Sequence, residues 1–224
     1  MINLRTPFAG IVIFIFFISG CVTAKKMDGW IGQYESVPGK LKTSDYITIK
    51  TDNIPHNENA SVSHKGKGKF IPAIFYWKSE QTTISDLNPL IPINKINTSI
   101  INYANSKSLK SKLNGQKVEL SFAKMPNVFS MTHKYQMFFF VVFYVQSEYF
   151  YLTPQKQDLI VSYRILKDNL ETKKGEITIA DPSKKINQKI FQSVKKMTWN
   201  YLDEYDNVLN AMSRELVDKL LVQL

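Results

Sequence analysis

Cysteine is nearly absent from this chain, which holds one, Cys21, among 224 residues. A lone thiol has no partner for an intramolecular disulfide, so the fold has to rest on a hydrophobic core and not on covalent staples. The 14 Phe, 11 Tyr and 3 Trp supply the apolar bulk for such a core. Composition therefore indicates a domain held together by packing alone.

Residue patterns that carry catalysis are equally scarce. The three histidines, His56, His64 and His133, match no zinc-binding spacing, and no G-x-S-x-G nucleophile motif is present. The glycines in GKGKF (66–70) lack the preceding strand and following helix of a phosphate-binding loop. We therefore expect no catalytic residues, no metal and no cofactor.

One acidic pair is a weak exception. Asp203 and Asp206 are three residues apart in a helical pattern and share a helix face, which is enough to hold a cation weakly. A solvated helix face explains the same pair more simply, because charged residues normally line such faces.

Hydrophobic runs long enough to span a membrane are missing too, and the first of the short ones stands near the start. Arg5 precedes the apolar stretch Phe8 to Ile18, and two small residues, Ser19 and Gly20, then lead to Cys21. A positive start, a short apolar core and a small-residue cleavage site are typical of a secretory signal. The stretch is too short to span a membrane, which takes roughly 20 apolar residues. Residues 1–20 are therefore predicted to be a signal peptide.

The end of that stretch, Ile18-Ser19-Gly20-Cys21, resembles a bacterial lipobox. The resemblance implies cleavage between Gly20 and Cys21, and fatty acyl chains such as palmitate attached at Cys21. Several acyl chains hold a protein stably on a bilayer, whereas one holds it only marginally. Val22 stands where an Asp would retain the protein in the inner membrane. The resemblance thus implies an outer-membrane lipoprotein, facing the periplasm because no acidic surface-export tract follows.

The charge balance is strongly basic, with 29 Lys and Arg against 19 Asp and Glu. For a lipid-anchored protein this excess favours contact with anionic headgroups or acidic glycolipid over nucleic acid. The lysines are dispersed along the chain, however, so simple solvation of the surface is the alternative explanation.

Residues 21–68 are predicted to be the lipidated N-terminus and a tether, because glycine, proline and polar residues dominate. Only YITIK (46–50) alternates as a short strand does. Residues 69–224 are predicted to form one α+β domain: a mostly antiparallel sheet with one medium helix and one long C-terminal helix packed on one face. The expected elements are strands at 70–77 and 118–122, a helix at 93–113, a hairpin of 158–166 with 176–180, and a helix from Asp181-Pro182-Ser183 to Leu224.

The most unusual segment of that domain is 137–152, where eight of the fourteen residues from Phe138 to Tyr151 are aromatic. Such composition favours a strand. A strand that is apolar on both faces is either a central core strand or a greasy exposed surface. In the second case Phe138, Phe140, Phe143 and Phe150 would form an apolar ligand surface.

The order of elements over 70–224 resembles that of accessory lipoproteins of envelope transport, without a shared residue motif. The resemblance implies a non-catalytic binding or assembly module, anchored in the membrane by its covalent lipid, with an envelope protein or lipid as partner. The alternatives are a lipid or glycolipid carrier that uses the aromatic strand 137–152, and a small periplasmic hydrolase.

Overall fold

The structure, a computed structural model, describes residues 22–51, 58–140 and 143–224. The predicted signal peptide, Cys21 and His56 lie outside these residues. Within them the chain folds as four helices and ten strands, and this confirms the predicted α+β class with a long C-terminal helix against mostly antiparallel sheet. In chain order the elements are α1 Ala24–Tyr34, β1 Ile47–Lys50, β2 Ser61–Lys65, β3 Lys69–Pro72, β4 Tyr76–Leu87, α2 Leu90–Ser106, α3 Leu109–Leu113, β5 Lys117–Lys124, β6 Val128–Phe139, β7 Tyr144–Pro154, β8 Leu159–Lys167, β9 Leu170–Ile179, β10 Ile186–Asn187 and α4 Val194–Gln223.

The strands form two sheets. The six-stranded sheet is antiparallel in the order β10-β7-β6-β4-β2, and β3 pairs with β4 on the same edge as β2, nearer the start of β4. The four-stranded sheet has the order β1-β5-β8-β9, in which β1 runs parallel to β5. Its β8–β9 hairpin turns at Asp168 and Asn169, both with positive φ, as a two-residue hairpin loop requires.

Each sheet buries one face against helices. In the four-stranded sheet the alternating residues Val118, Leu120, Val161 and Ile177 are buried, and the opposite face carries polar residues. In the six-stranded sheet Phe129, Met131, Phe150 and Leu152 are buried by the same rule. Side chains of α1, α2 and α4 join both sets in a single core cluster.

The segment predicted to be a tether is instead part of this core, as far as residues 22–51 and 58–68 describe it. Met27 and Ile31 of α1 are fully buried, and the indole of Trp199 donates to the Trp30 carbonyl at 2.9 Å. The strand predicted at 46–50 is present as β1 and pairs with β5. Apolar residues spaced three and four apart form a helix face here. Burial of this face stabilises α1 although Gly29 and Gly32 disfavour a helix.

The long C-terminal helix begins at Val194 and not near Ser183, so that predicted start is wrong. Asp181 does accept a hydrogen bond from the Ser183 amide, but its other oxygen accepts from the Gln157 amide and ties the segment to a neighbouring loop. The chain then pairs as β10 with β7 before Ser193 caps the helix by accepting from the Lys196 amide. Ile190, expected on the buried helix face, is exposed.

The helix predicted over 93–113 is interrupted. Ser108 adopts a left-handed conformation, which separates α2 from the short α3. The predicted end is present, because Asn114 caps α3 in the left-handed region and Gly115 follows with φ of 81°.

Two apolar segments that were predicted to be single strands are hairpins. Residues 70–77 divide between β3 and β4, with Pro72 at the end of the edge strand β3. Residues 137–152 divide between β6 and β7, which pair antiparallel from Phe129 with Pro154 to Phe139 with Tyr144. The aromatic block is therefore the end of a long hairpin and not a central core strand.

Candidate functional site

The two apolar hairpins lie side by side in the six-stranded sheet and end at the same level. Tyr76 of β4 pairs with Phe138 of β6, and the Phe139 amide donates to the Phe75 carbonyl at 2.8 Å. We call this end of the sheet the aromatic tip and define it as residues 70–77, 137–140 and 143–145.

Backbone hydrogen bonds hold both ends of the tip in shape. The Ala73 amide donates to the Tyr76 carbonyl at 2.8 Å in the first hairpin. The Phe140 amide donates to the Phe143 carbonyl at 2.7 Å in the second. These bonds satisfy backbone groups within the tip and hold it as an ordered extension of the sheet.

Most side chains of the tip are exposed although they are apolar. Ten of them have at least 40% of their surface accessible, and Ile74 at the extreme end has 86%. These ten are Phe70, Ile71, Ile74, Phe75, Trp77, Phe138, Phe140, Phe143, Tyr144 and Val145. Soluble proteins seldom leave so many neighbouring apolar side chains in water unless the patch contacts something.

The apolar surface covers both faces of the sheet at this end. Trp77, Phe139 and Tyr144 lie on the face that carries the core residues nearer the helices, whereas Phe138 and Val145 lie on the opposite face. The rings of Trp77 and Phe139 meet edge to face with centroids 4.9 Å apart. Such contacts favour a fixed arrangement of the rings without covering them.

Charge within the two segments that form the tip and lead to it has one sign. Residues 65–79 and 134–147 contain five lysines and no Asp or Glu. These lysines are Lys65, Lys67, Lys69, Lys78 and Lys134. The first acidic residues behind the tip are Glu80, 3.6 Å from the Lys134 ammonium, and Glu148, 2.7 Å from Nε2 of His133. The tip is thus an apolar end with a positive border.

Of the four aromatic residues singled out in the sequence, the structure brings three together. Phe138, Phe140 and Phe143 are exposed at the tip, and the rings of Phe140 and Phe143 stack at 4.5 Å. Phe150 is elsewhere: it is buried on the helix side of the sheet and stacks on His133 at 4.2 Å.

Sequence reasoning missed the contribution of residues 70–77 to this surface. Their apolar composition was visible, but pairing with Phe138 depends on the register of β4 against β6. Pro72 was the available signal, because a proline within an apolar run marks an edge or a turn.

The acidic residues of α4 lie apart from the tip. The phenol of Tyr34 donates to the Asp203 carboxylate, and this contact helps to raise the pKa of Tyr34 above its usual range. Asp206 instead pairs with Lys95 of α2, which also pairs with Glu35. Asp203 and Asp206 are therefore engaged with different partners. Among the described residues, no group of three or more His, Cys, Asp or Glu side chains is arranged to hold a metal ion.

Two grooves open elsewhere on the surface. One, of about 590 Å³, lies between α2 and α4 and is lined mostly by polar residues that include Asn102, Ser99 and Arg214. The other, of about 540 Å³, lies between the end of α1 and the start of β2. Neither is lined by a residue of the aromatic tip.

A second, smaller apolar feature stands behind the tip. Ile190 and Phe191 are almost fully exposed in the loop that follows β10, where the Gln188 amide donates to the Phe150 carbonyl. Because β10 runs antiparallel to β7, this loop leaves the sheet in the direction of the tip.

Comparison with known proteins gives no relative from which a function can be transferred. No protein family model, no curated protein and no solved structure matches the chain. In the described part of the chain, none of the helices combines the length and the apolar character that a membrane crossing requires.

Proposed function

We propose that this protein is a lipid-anchored envelope lipoprotein whose folded body is a non-catalytic binding module, and that the aromatic tip is its contact surface. The observation that carries the proposal is the exposure of ten apolar side chains on two adjacent hairpins. Burial of one large apolar side chain contributes about 1.5–3 kcal/mol, so a partner that covers several of them binds with useful affinity.

The anchor in this proposal is Cys21, with cleavage after Gly20 and attachment to the periplasmic face of the outer membrane. Its support is the sequence Ile18-Ser19-Gly20-Cys21 behind a short apolar stretch. A thiol is required because sulfur is the atom that receives the lipid.

The proposed role as a binding module is preferred over a lipid carrier because of the shape of the tip. A carrier encloses its ligand in a concave pocket that covers most of the ligand surface. The tip is the projecting end of two hairpins, and the two grooves of several hundred Å³ lie away from it. The module is also preferred over a hydrolase, since the α2–α4 groove offers Lys95 and Asp206 already paired with each other.

Two measurements test the proposal. Mass spectrometry of the mature protein should find Cys21 at the N-terminus with attached fatty acids, and Cys21→Ser should leave an uncleaved precursor in the inner membrane. Normal processing of Cys21→Ser, or a mature protein without fatty acid, overturns the anchor.

The contact surface is tested by photo-crosslinking in intact envelopes, followed by mass spectrometry of both lipids and proteins. A crosslinking amino acid at Phe140 in the tip should capture a partner. The same amino acid at Leu170, which is exposed at the start of β9 beside the β8–β9 turn, serves as the control. Equal capture from both positions, or none from Phe140, contradicts the assignment of the tip.

A further inference from the structure

We infer that the partner of the aromatic tip is a phospholipid bilayer with anionic headgroups, into whose interfacial region the tip inserts. The inference deepens the proposed function, because it rests on the tip as the contact surface and names what the tip contacts. It adds a second, non-covalent membrane contact to the lipid predicted at Cys21.

The tip is apolar on both faces of the sheet and at its extreme end. Phe70, Trp77 and Tyr144 are exposed on one face of the sheet, and Ile71 and Phe138 on the other. A folded protein partner covers one face of a flat sheet, or its edge, and leaves the second face in water. A bilayer surrounds an inserted end, so both faces and the extreme end lose water together.

The order of residue types along the strands also matches insertion into a bilayer. Ile74 and Phe75 lie at the extreme end of the sheet, and Trp77 is the next large apolar residue along β4. Lys78 is three residues from Phe75, farther from the end. At about 3.4 Å per residue, Lys78 lies roughly 10 Å behind the end, which matches the depth of interfacial insertion. Lysine at that level reaches the phosphates with its ammonium while its methylenes stay in apolar surroundings. Trp and Tyr, such as Trp77 and Tyr144 here, are the residues that favour the boundary between the hydrocarbon core and the headgroups of a membrane.

The charge of the segments that border the tip is complementary to an anionic bilayer. Five lysines and no acidic residue occupy the segments that border the tip, from 65 to 79 and from 134 to 147. An anionic leaflet attracts each nearby lysine, and no carboxylate in these segments opposes the approach. On β6, Lys134 is four residues behind Phe138 and lies opposite Glu80, two residues farther back than Lys78 on β4.

The direction of α1 also places the start of the described chain on the side of the tip. Asp28 of α1 accepts from Ser61 and Ser63 of β2, and the later residues Gly32 and Glu35 lie beside 58–62. Since β2 runs from the far end of β4 toward the tip, α1 runs away from the tip and its first residues face it.

Val22, one residue after the predicted lipid attachment, therefore stands on the tip side of the body. The exposed pair Ile190 and Phe191 lies on the same side, behind the tip.

The experiment places a spin label at the tip of the mature lipoprotein, reconstituted into vesicles of phosphatidylethanolamine and phosphatidylglycerol. Cys21 is the only native cysteine, and a lipidated sulfur takes no label. Ile74→Cys and Phe143→Cys each then carry a single nitroxide. Leu170→Cys is the matched control, exposed and near the C-terminal end of α4, where Lys173 contacts the Gln223 carbonyl. α4 starts after the loop that follows β10, behind the tip. Its 30 residues place its C-terminal end, and the control position beside it, about 45 Å from that start.

Collision of each nitroxide with molecular oxygen and with a water-soluble nickel chelate is read by electron paramagnetic resonance. We expect labels at 74 and 143 to lose collisions with nickel and to gain collisions with oxygen when detergent is replaced by vesicles. The label at 170 should stay accessible to nickel. Circular dichroism of each labelled protein verifies the fold, and two tip positions guard against one variant that fails to fold.

Nickel accessibility at 74 and 143 equal to that at 170 overturns the inference. So does protection of these positions in native envelopes but not in the vesicles, which would make the tip a site for a protein. These outcomes are distinct from failure of the anchor. An unlipidated Cys21 would take up label in the protein without an introduced cysteine and would be detected by mass.

Discussion

Lys95 of α2 places its ammonium nitrogen 2.5 Å from the carboxylate of Glu35, at the end of α1. The same ammonium contacts Asp206 of α4, so one lysine joins three helices. The Glu35 side chain is almost fully buried, and this burial raises the pKa of its carboxyl although Lys95 opposes the shift. Stability should therefore depend on the protonation of Glu35.

The first prediction concerns pH and the variant Glu35→Gln. Because the pKa of Glu35 is raised in the folded state, the folded protein binds this proton more tightly than the unfolded chain does. Wild type therefore loses free energy of unfolding as pH rises above 4.5, the ordinary carboxyl value, whereas Glu35→Gln does not. The free energy of unfolding of Glu35→Gln should therefore increase relative to that of wild type as pH rises above 4.5.

Urea unfolding between pH 4 and pH 7 measures this difference. Glu204→Gln, which removes the same charge from an exposed position of α4, should follow wild type across the range. A Glu35→Gln profile parallel to wild type would show that the burial of this carboxyl has no energetic consequence.

A second prediction tests whether α1 belongs to the folded body. Ile31→Ala removes buried methyl groups from the core and should lower the free energy of unfolding by about 2–5 kcal/mol. Gln33→Ala, two residues along the same helix and exposed, should change it by less than about 0.5 kcal/mol. Equal and small effects in chemical denaturation would mean that residues 24–34 are the tether that their composition suggests.

The burial of Ile31 could not be predicted from the sequence, whereas elements with a local pattern could. Alternating strands such as 118–122 and the β8–β9 hairpin were predictable because each pattern is local. The burial of α1 was not, since its partners Thr198 and Trp199 are far away in the chain. The helix start at Ser193 was missed for a similar reason: Asp181 has the residue type of a cap but is engaged by a distant loop.

A third prediction separates the aromatic tip from the fold. Phe143→Ser changes a side chain that is 58% exposed, so the free energy of unfolding should stay within about 0.5 kcal/mol of wild type. Met137→Ala, on the same hairpin but buried, should lower it by about 2 kcal/mol or more. Thermal unfolding compares the two. A large loss from Phe143→Ser would show that the tip packs against something in the folded monomer.

The candidate site was predictable only in part, for a physical reason. Composition alone marked residues 137–152, because aromatic density is visible in any sequence. It could not show where the chain reverses, since the run from Phe138 to Val145 holds no Gly, Pro, Asn or Asp to mark a turn. Phe150 was grouped with Phe140 although pairing with His133 places it on the helix side.

A fourth prediction concerns a close contact in the four-stranded sheet. A Cβ added at Gly175 would lie 2.7 Å from the Tyr163 hydroxyl, directly across the β8–β9 pair. Tyr163 is buried, so Gly175→Ala has to displace the ring and should destabilise by about 1–3 kcal/mol.

The double variant Gly175→Ala with Tyr163→Leu should recover part of that loss, because the ring that meets the new methyl group is gone. A double-mutant cycle by urea unfolding measures the recovery. Strict additivity of the two changes would mean that the methyl group and the ring do not meet.

The contact between Met27 and Thr198 joins positions 171 residues apart, and it has a consequence for the order of synthesis. Ribosomes release α1 first and α4 last, so α1 can meet β2 and β4 early but meets α4 only when nearly the whole polypeptide exists. A chain that terminates before α4 should therefore expose the apolar side chains of α1 that pack against α4, such as Met27. We expect quality-control proteases to recognise this exposed helix in the truncated chain.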